Sequence, residues 1–231
     1  MSFVTSITRK LIPSKKGVAE IISYAIIAML SIALVGTAYT WGMPLITKRQ
    51  DRTKVERIYS YFNEDNYNSL VRKIEQVAKN GGKEVFAADV EGMWELHEYD
   101  EGGPDNNSLE FHTFSKVTNV AMGDWSSLTF GGSCPPLKGI VGIDPPFVVC
   151  GKAEDVEDGF NIIYKVWPRT VLLPTGAKGY KIHFIKDPTG QLASTHKTVT
   201  VTRESVYTCS PPDLECPTET LIITKIKILL A

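Results

Sequence analysis

The chain has 231 residues, 43% hydrophobic and 22% charged, with a formal net charge of −1. That length accommodates one membrane segment and one medium-sized domain. The near-neutral balance excludes a general attraction to nucleic acid, and the apolar content excludes a disordered chain.

Residues 1–17 read as a leader, interrupted by Pro13 and ending on Lys15, Lys16 and Gly17. Then comes Val18-Ala19-Glu20 and a run of 27 residues, Ile21 to Thr47, without a single charge. As a helix this run is about 40 Å long, against about 30 Å for the hydrocarbon core of a bilayer. In an ordinary secretory signal the small residue follows the apolar region. Here Gly17 precedes it, so a cut after Gly17 removes only the basic leader and leaves the apolar helix on the mature chain. Small residues recur at four-residue steps, Ala19 and Ser23, Ala33 and Thr37, Gly36 and Thr40, a spacing that lets helix backbones approach closely. Glu20 is costly near a membrane end unless it reaches water or a partner. Basic residues flank the run on both sides, so the positive-inside rule alone does not orient it.

Lys15-Lys16-Gly17, Val18-Ala19-Glu20 and the long apolar helix together resemble the class III signal peptides of type IV pilin-like proteins, most closely the archaeal ones. The resemblance covers Lys15 to about Ile46. It implies a prepilin peptidase that cuts after Gly17, a helix held in the membrane and then packed into the core of a filament, and other copies of the chain as partners. It also implies a pairing of Glu20 with the free amine of Val18 on a neighbouring subunit. Bacterial pilins usually start with Phe and carry Glu fifth, whereas this chain would carry Val18 first and Glu20 third.

Residues 49–80 continue as an amphipathic helix. Val55, Ile58, Tyr59 and Phe62 fall at helical spacing, as do Leu70, Val71, Ile74, Val77 and Ala78. Asn63-Glu64-Asp65-Asn66 interrupts it locally, and Gly81-Gly82 ends it.

From Lys83 onwards the pattern changes to strands separated by Gly/Pro/Asp turns. Seven to nine antiparallel strands are expected, in a sandwich or one strongly curved sheet. The last, Thr220 to Leu230, carries Ile226 and Ile228 as core residues. The fold class is therefore α+β: a long N-terminal helix over 18–80 (apolar to 48, then amphipathic) and an antiparallel, sandwich-like β domain over 83–231.

Four cysteines, Cys134, Cys150, Cys209 and Cys216, lie in the β domain at spacings unlike those of common zinc sites. Two local disulfides, Cys134–Cys150 and Cys209–Cys216, are the simplest of three possible pairings. Asn106-Asn107-Ser108 is a sequon in a polar loop, which makes Asn106 a candidate acceptor of an N-glycan.

No catalytic motif is present: no P-loop, no dinucleotide fingerprint and no nucleophile elbow. His97, His112, His183 and His196 show no metal-ligand spacing, and each reads as a surface or half-buried strand residue. The acidic stretch Glu154 to Asp158 lacks the spacing of a calcium loop and reads as solvated. No cofactor, metal or catalysis is implied. The expectation is a structural or adhesive subunit of a surface filament. The alternative is a signal-anchored monomeric ectodomain that binds a ligand or an envelope partner.

Overall fold

The computed structural model describes residues 15–99, 106–211, 216 and 218–231, with side chains from residue 19. Most of the expected leader, residues 1–14, lies outside them, as does the turn at residues 101–105. The chain divides into two compact units, Met1–Arg49 and Gln50–Ala231.

Helix α1 spans Lys15–Phe62 and remains helical through Pro44. Helix α2 spans Leu70–Asn80. The break between them falls where the polar run predicts it, and side chains take over the backbone's hydrogen bonds there. Asn63 Oδ1 accepts from the Asp65 amide, and Asn66 Oδ1 accepts from the Asn68 amide. Such local bonds compete with helical ones. Ser69 then restarts the helix as N-cap, its hydroxyl accepting from the Arg72 amide at 3.2 Å. At the far end Gly81 has a φ of 77° and donates to Val77 O. A Cβ at Gly81 would lie 2.5 Å from the Arg203 guanidinium, which itself donates to the Ala78 and Lys79 carbonyls. A cation thus satisfies the free carbonyls at the negative end of α2.

Among the described residues twelve strands follow: β1 (Lys83–Ala87), β2 (Met93–His97), β3 (Ser108–Ser115), β4 (Ser126–Ser127), β5 (Gly139–Ile140), β6 (Phe147–Val156), β7 (Gly159–Pro168), β8 (Val171–Leu172), β9 (Lys178–Lys186), β10 (Ala193–Ser194), β11 (Thr198–Cys209) and β12 (Thr220–Leu230). They form two six-stranded sheets, ordered β1-β11-β12-β9-β8-β5 and β10-β2-β3-β7-β6-β4. Eight strands are long, within the expected number; the other four have two residues each. The second sheet is antiparallel throughout. The first holds two parallel pairs, β12 with β9 and β5 with β8, which alternation along single strands does not reveal. The acidic stretch is not a loop: Glu154 and Asp155 belong to β6, and Val156 pairs with Gly159 across a tight turn.

One hydrophobic core joins both sheets to α2 and the end of α1. Val55, Ile58 and Phe62 are buried as expected, with Tyr61 in place of Tyr59. Phe62 stacks on Tyr164 of β7 at 5.3 Å, and Trp94 of β2 packs on Phe111 of β3 at 4.5 Å. Ile226 and Ile228 are fully buried.

Asn107 ties the sheets together at one end. Its Nδ2 donates to Ile182 O and its Oδ1 accepts from the Phe184 amide, each at 2.7 Å. Its φ of 65° is one that Asn tolerates better than most residues.

Both disulfides form in the simplest pairing, with Cα–Cα distances of 6.1 Å and 5.9 Å, within the usual range. They close loops of 16 and 7 residues in sequence separation. By chain entropy such crosslinks contribute about 2–3 kcal/mol each. Reduction of a fragment beginning at Gln50 is therefore expected to lower its melting temperature by several degrees, measured by circular dichroism with and without reductant.

Candidate functional site

Two features stand apart from the core. The first is the apolar part of α1. Ala19, Glu20, Ser23, Ala33 and Gly36 are all exposed, and no residue of the most apolar window is buried. Ile21, Met29, Ile32, Leu34 and Trp41 are each about 70% exposed or more. Apart from the adjacent residues and the helix's own backbone, no described heavy atom lies within 4 Å of a Cβ placed on Gly36 or Gly42. Four of the segment's hydroxyls bond within the helix: Ser31 donates to Ile27 O, Thr37 to Ala33 O, Thr40 to Gly36 O and Thr47 to Met43 O. Hydroxyls bonded to their own helix suit a medium without water. Lys15, Lys16, Gly17 and Val18 are the first residues of α1; their side chains lie outside the described ones.

The second feature is an ionic cluster on the outer face of the second sheet. On β2 and β3, Trp94, Leu96, Leu109 and Phe111 point into the core. Strand alternation therefore puts Glu95, His97, Glu110 and His112 on the opposite face. On β7 the same face carries Lys165 and Trp167, opposite Cys150 and Val148 of β6. The Cys134–Cys150 disulfide, Trp125, Val148 and Trp167 form a small apolar cluster over this part of the sheet. Beneath it Lys165 is fully buried. Its Nζ lies 2.9 Å from Glu110 Oε1, 4.2 Å from the Trp167 ring centre and 5.3 Å from that of Trp125. A buried ammonium is tolerable with a carboxylate and aromatic faces around it.

Glu110 is the hub. Besides Lys165 it meets His112 Nε2 at 3.0 Å and His97 Nε2 at 3.5 Å. Burial alone would raise its pKa, but contacts with His112, His97 and Lys165 outweigh this and hold it well below the usual carboxylate range. Glu95 lies directly across from Glu110, 3.8 Å from His97 Nε2 and 3.6 Å from His112 Nε2. The adjacent Glu110 carboxylate raises the pKa of His97.

Spacing along the chain missed this cluster, because its members meet only when β2, β3 and β7 pair. One signal was present: Glu95-Leu96-His97 and Glu110-Phe111-His112 repeat the pattern Glu-x-His on consecutive strands.

Of the remaining sequence candidates, Asn106 is half-buried at the start of β3, its carbonyl accepting from Trp167 Nε1, while Ser108 of the sequon is fully buried. His196 is exposed. His183 departs from expectation: it is 1% exposed, stacked on Tyr99 at 3.4 Å between ring centres. Neither ring nitrogen of His183 has a hydrogen-bond partner.

No family model, no curated protein and no solved structure matches the chain.

Burial, reinforced by Lys181 and Lys225, pushes the His183 pKa down to about 3. A depressed folded-state value means that the neutral ring's contribution is complete above the ordinary imidazole value of about 6.5. It is lost as pH falls from there towards about 3. His183→Leu is thus expected to flatten the decline of melting temperature between about pH 7 and pH 4, measured by thermal scans of the fragment from Gln50 at each pH. An unchanged decline would place the acid sensitivity elsewhere.

Proposed function

We propose that the chain is a structural subunit of a type IV pilin-like surface filament, assembled through the apolar part of α1. The observation that carries this reading is an uncharged helical segment that is exposed along nearly all of its described length, in a chain whose other unit has a core and two disulfides of its own. Fully burying a large apolar side chain is worth about 1.5–3 kcal/mol, so a segment this apolar is stable only in lipid or among other helices. Disulfides form in oxidising compartments, which supports an outward-facing β domain. The Lys-Lys-Gly leader supports processing by a prepilin peptidase, with insertion in the cytoplasmic membrane before assembly. The role is structural or adhesive, without catalysis.

The experiment that tests this is the N-terminal residue of the protein recovered from membranes and sheared surface material. Val18 is expected, and Gly17→Leu is expected to leave an uncut precursor. A wild-type chain that keeps its leader sinks the filament reading and favours a signal-anchored ectodomain.

Glu20 is assigned to assembly, pairing with the free amine of Val18 on a neighbouring copy. Glu20→Ala is therefore expected to be cut normally yet yield several-fold fewer filaments by electron microscopy of sheared material. Unchanged yield would remove the assembly role.

A further inference from the structure

We propose that Glu95, His97 and Glu110 bind one divalent transition-metal ion, with zinc the expected occupant. One donor atom from each lies within 4.8 Å of the other two. His97 Nε2 is 3.8 Å from Glu95 Oε1 and 3.5 Å from Glu110 Oε1. Zinc bonds of about 2.0–2.2 Å at tetrahedral angles place neighbouring donors about 3.3–3.6 Å apart. Small side-chain movements therefore close the site around an ion.

Three further observations point the same way. Glu95 and Glu110 are direct cross-strand partners, and like charges in that arrangement repel. Lys165 neutralises only one of the two, and a dication balances both without protonating an imidazole. His97 Nε2 is shielded from solvent and faces both carboxylates, at 3.5 Å and 3.8 Å, without a well-formed hydrogen bond to either, an arrangement that suits a ligand nitrogen. Finally, the outer contacts are in place. His112 Nε2 meets the second oxygen of each carboxylate, at 3.0 Å from Glu110 Oε2 and 3.6 Å from Glu95 Oε2. Lys165 holds Glu110 from the buried side. Such neighbours orient metal-binding carboxylates, so His112 and Lys165 are positioning residues.

The donor set chooses the ion. One imidazole and two carboxylates suit zinc and its first-row neighbours, whereas calcium and magnesium prefer oxygen alone. The side chains of Glu95 and His97 are 36% and 29% exposed, which leaves a path for entry. A bound ion would fasten β2, whose outer neighbour β10 has only two residues, to β3.

The test uses the full chain, without a polyhistidine tag, in detergent and stripped with a chelator. Zinc chloride is titrated by calorimetry, and cobalt(II) absorption reports the coordination geometry. One equivalent is expected to bind and to raise the melting temperature. His97→Gln and Glu95→Gln are each expected to weaken binding about tenfold or more, and His196→Ala to leave it unchanged. Acidification to about pH 5.5 is expected to weaken it as protons compete for the imidazole. Glu95→Gln, at a partly exposed position, keeps the test valid if His97→Gln fails to fold. Absence of saturable binding, or one-equivalent binding that survives both variants, overturns the proposal; the first outcome leaves protonated imidazoles as the balance for the carboxylates.

Discussion

Twenty-seven consecutive uncharged residues cannot be left in water. The exposed run from Ile21 to Thr47 is the constraint on which the organisation of this protein turns. Among the described residues, the window of greatest apolarity has no buried residue. Ser31, Thr37, Thr40 and Thr47 spend their hydroxyls on the helix's own carbonyls, which lessens their need for water. By length and composition it is apolar enough to cross a membrane.

The unit from Gln50 to Ala231 has solved its own burial problem. Its sheets and helices share one core, and Phe62, the last residue of α1, is stacked on Tyr164 inside it. The helix that begins as an unburied apolar rod therefore ends as a core element of the β unit. The change of character is gradual in sequence, from an uncharged stretch to one with Val55, Ile58 and Phe62 on a single face. The helix stops only where Asn63, Asn66 and Ser69 offer side-chain substitutes for backbone bonds.

The outer face of the second sheet shows how a crosslink creates a polar environment. The Cys134–Cys150 bridge holds Trp125 and its neighbours against β6 and β7, and that cover buries Lys165. A buried ammonium requires a carboxylate, and Glu110 supplies it. Glu110 in turn gathers His97 and His112, with Glu95 opposite. Each step follows from the one before, and together they make a cluster of mixed charge on an otherwise ordinary strand face.

Much of this was legible in the sequence. The uncharged run predicts a helix long and apolar enough to cross a bilayer, and the structure has that helix. Helical spacing from Val55 to Val77, the break at Asn63 and the stop at Gly81 follow from local chemistry, as does the strand from Thr220 to Leu230. The two nearest-neighbour disulfides are the simplest of three pairings open to the sequence, and the structure has that one. Tertiary structure alone decided the rest. The parallel pairing of β12 with β9 depends on the route the chain takes through β10 and β11, not on either strand's composition. His183 looks like any strand histidine until Tyr99 and the core close over it. Glu95, His97, Glu110 and Lys165 are separated by up to 70 residues, and only strand register and a disulfide-held cover bring their charges together.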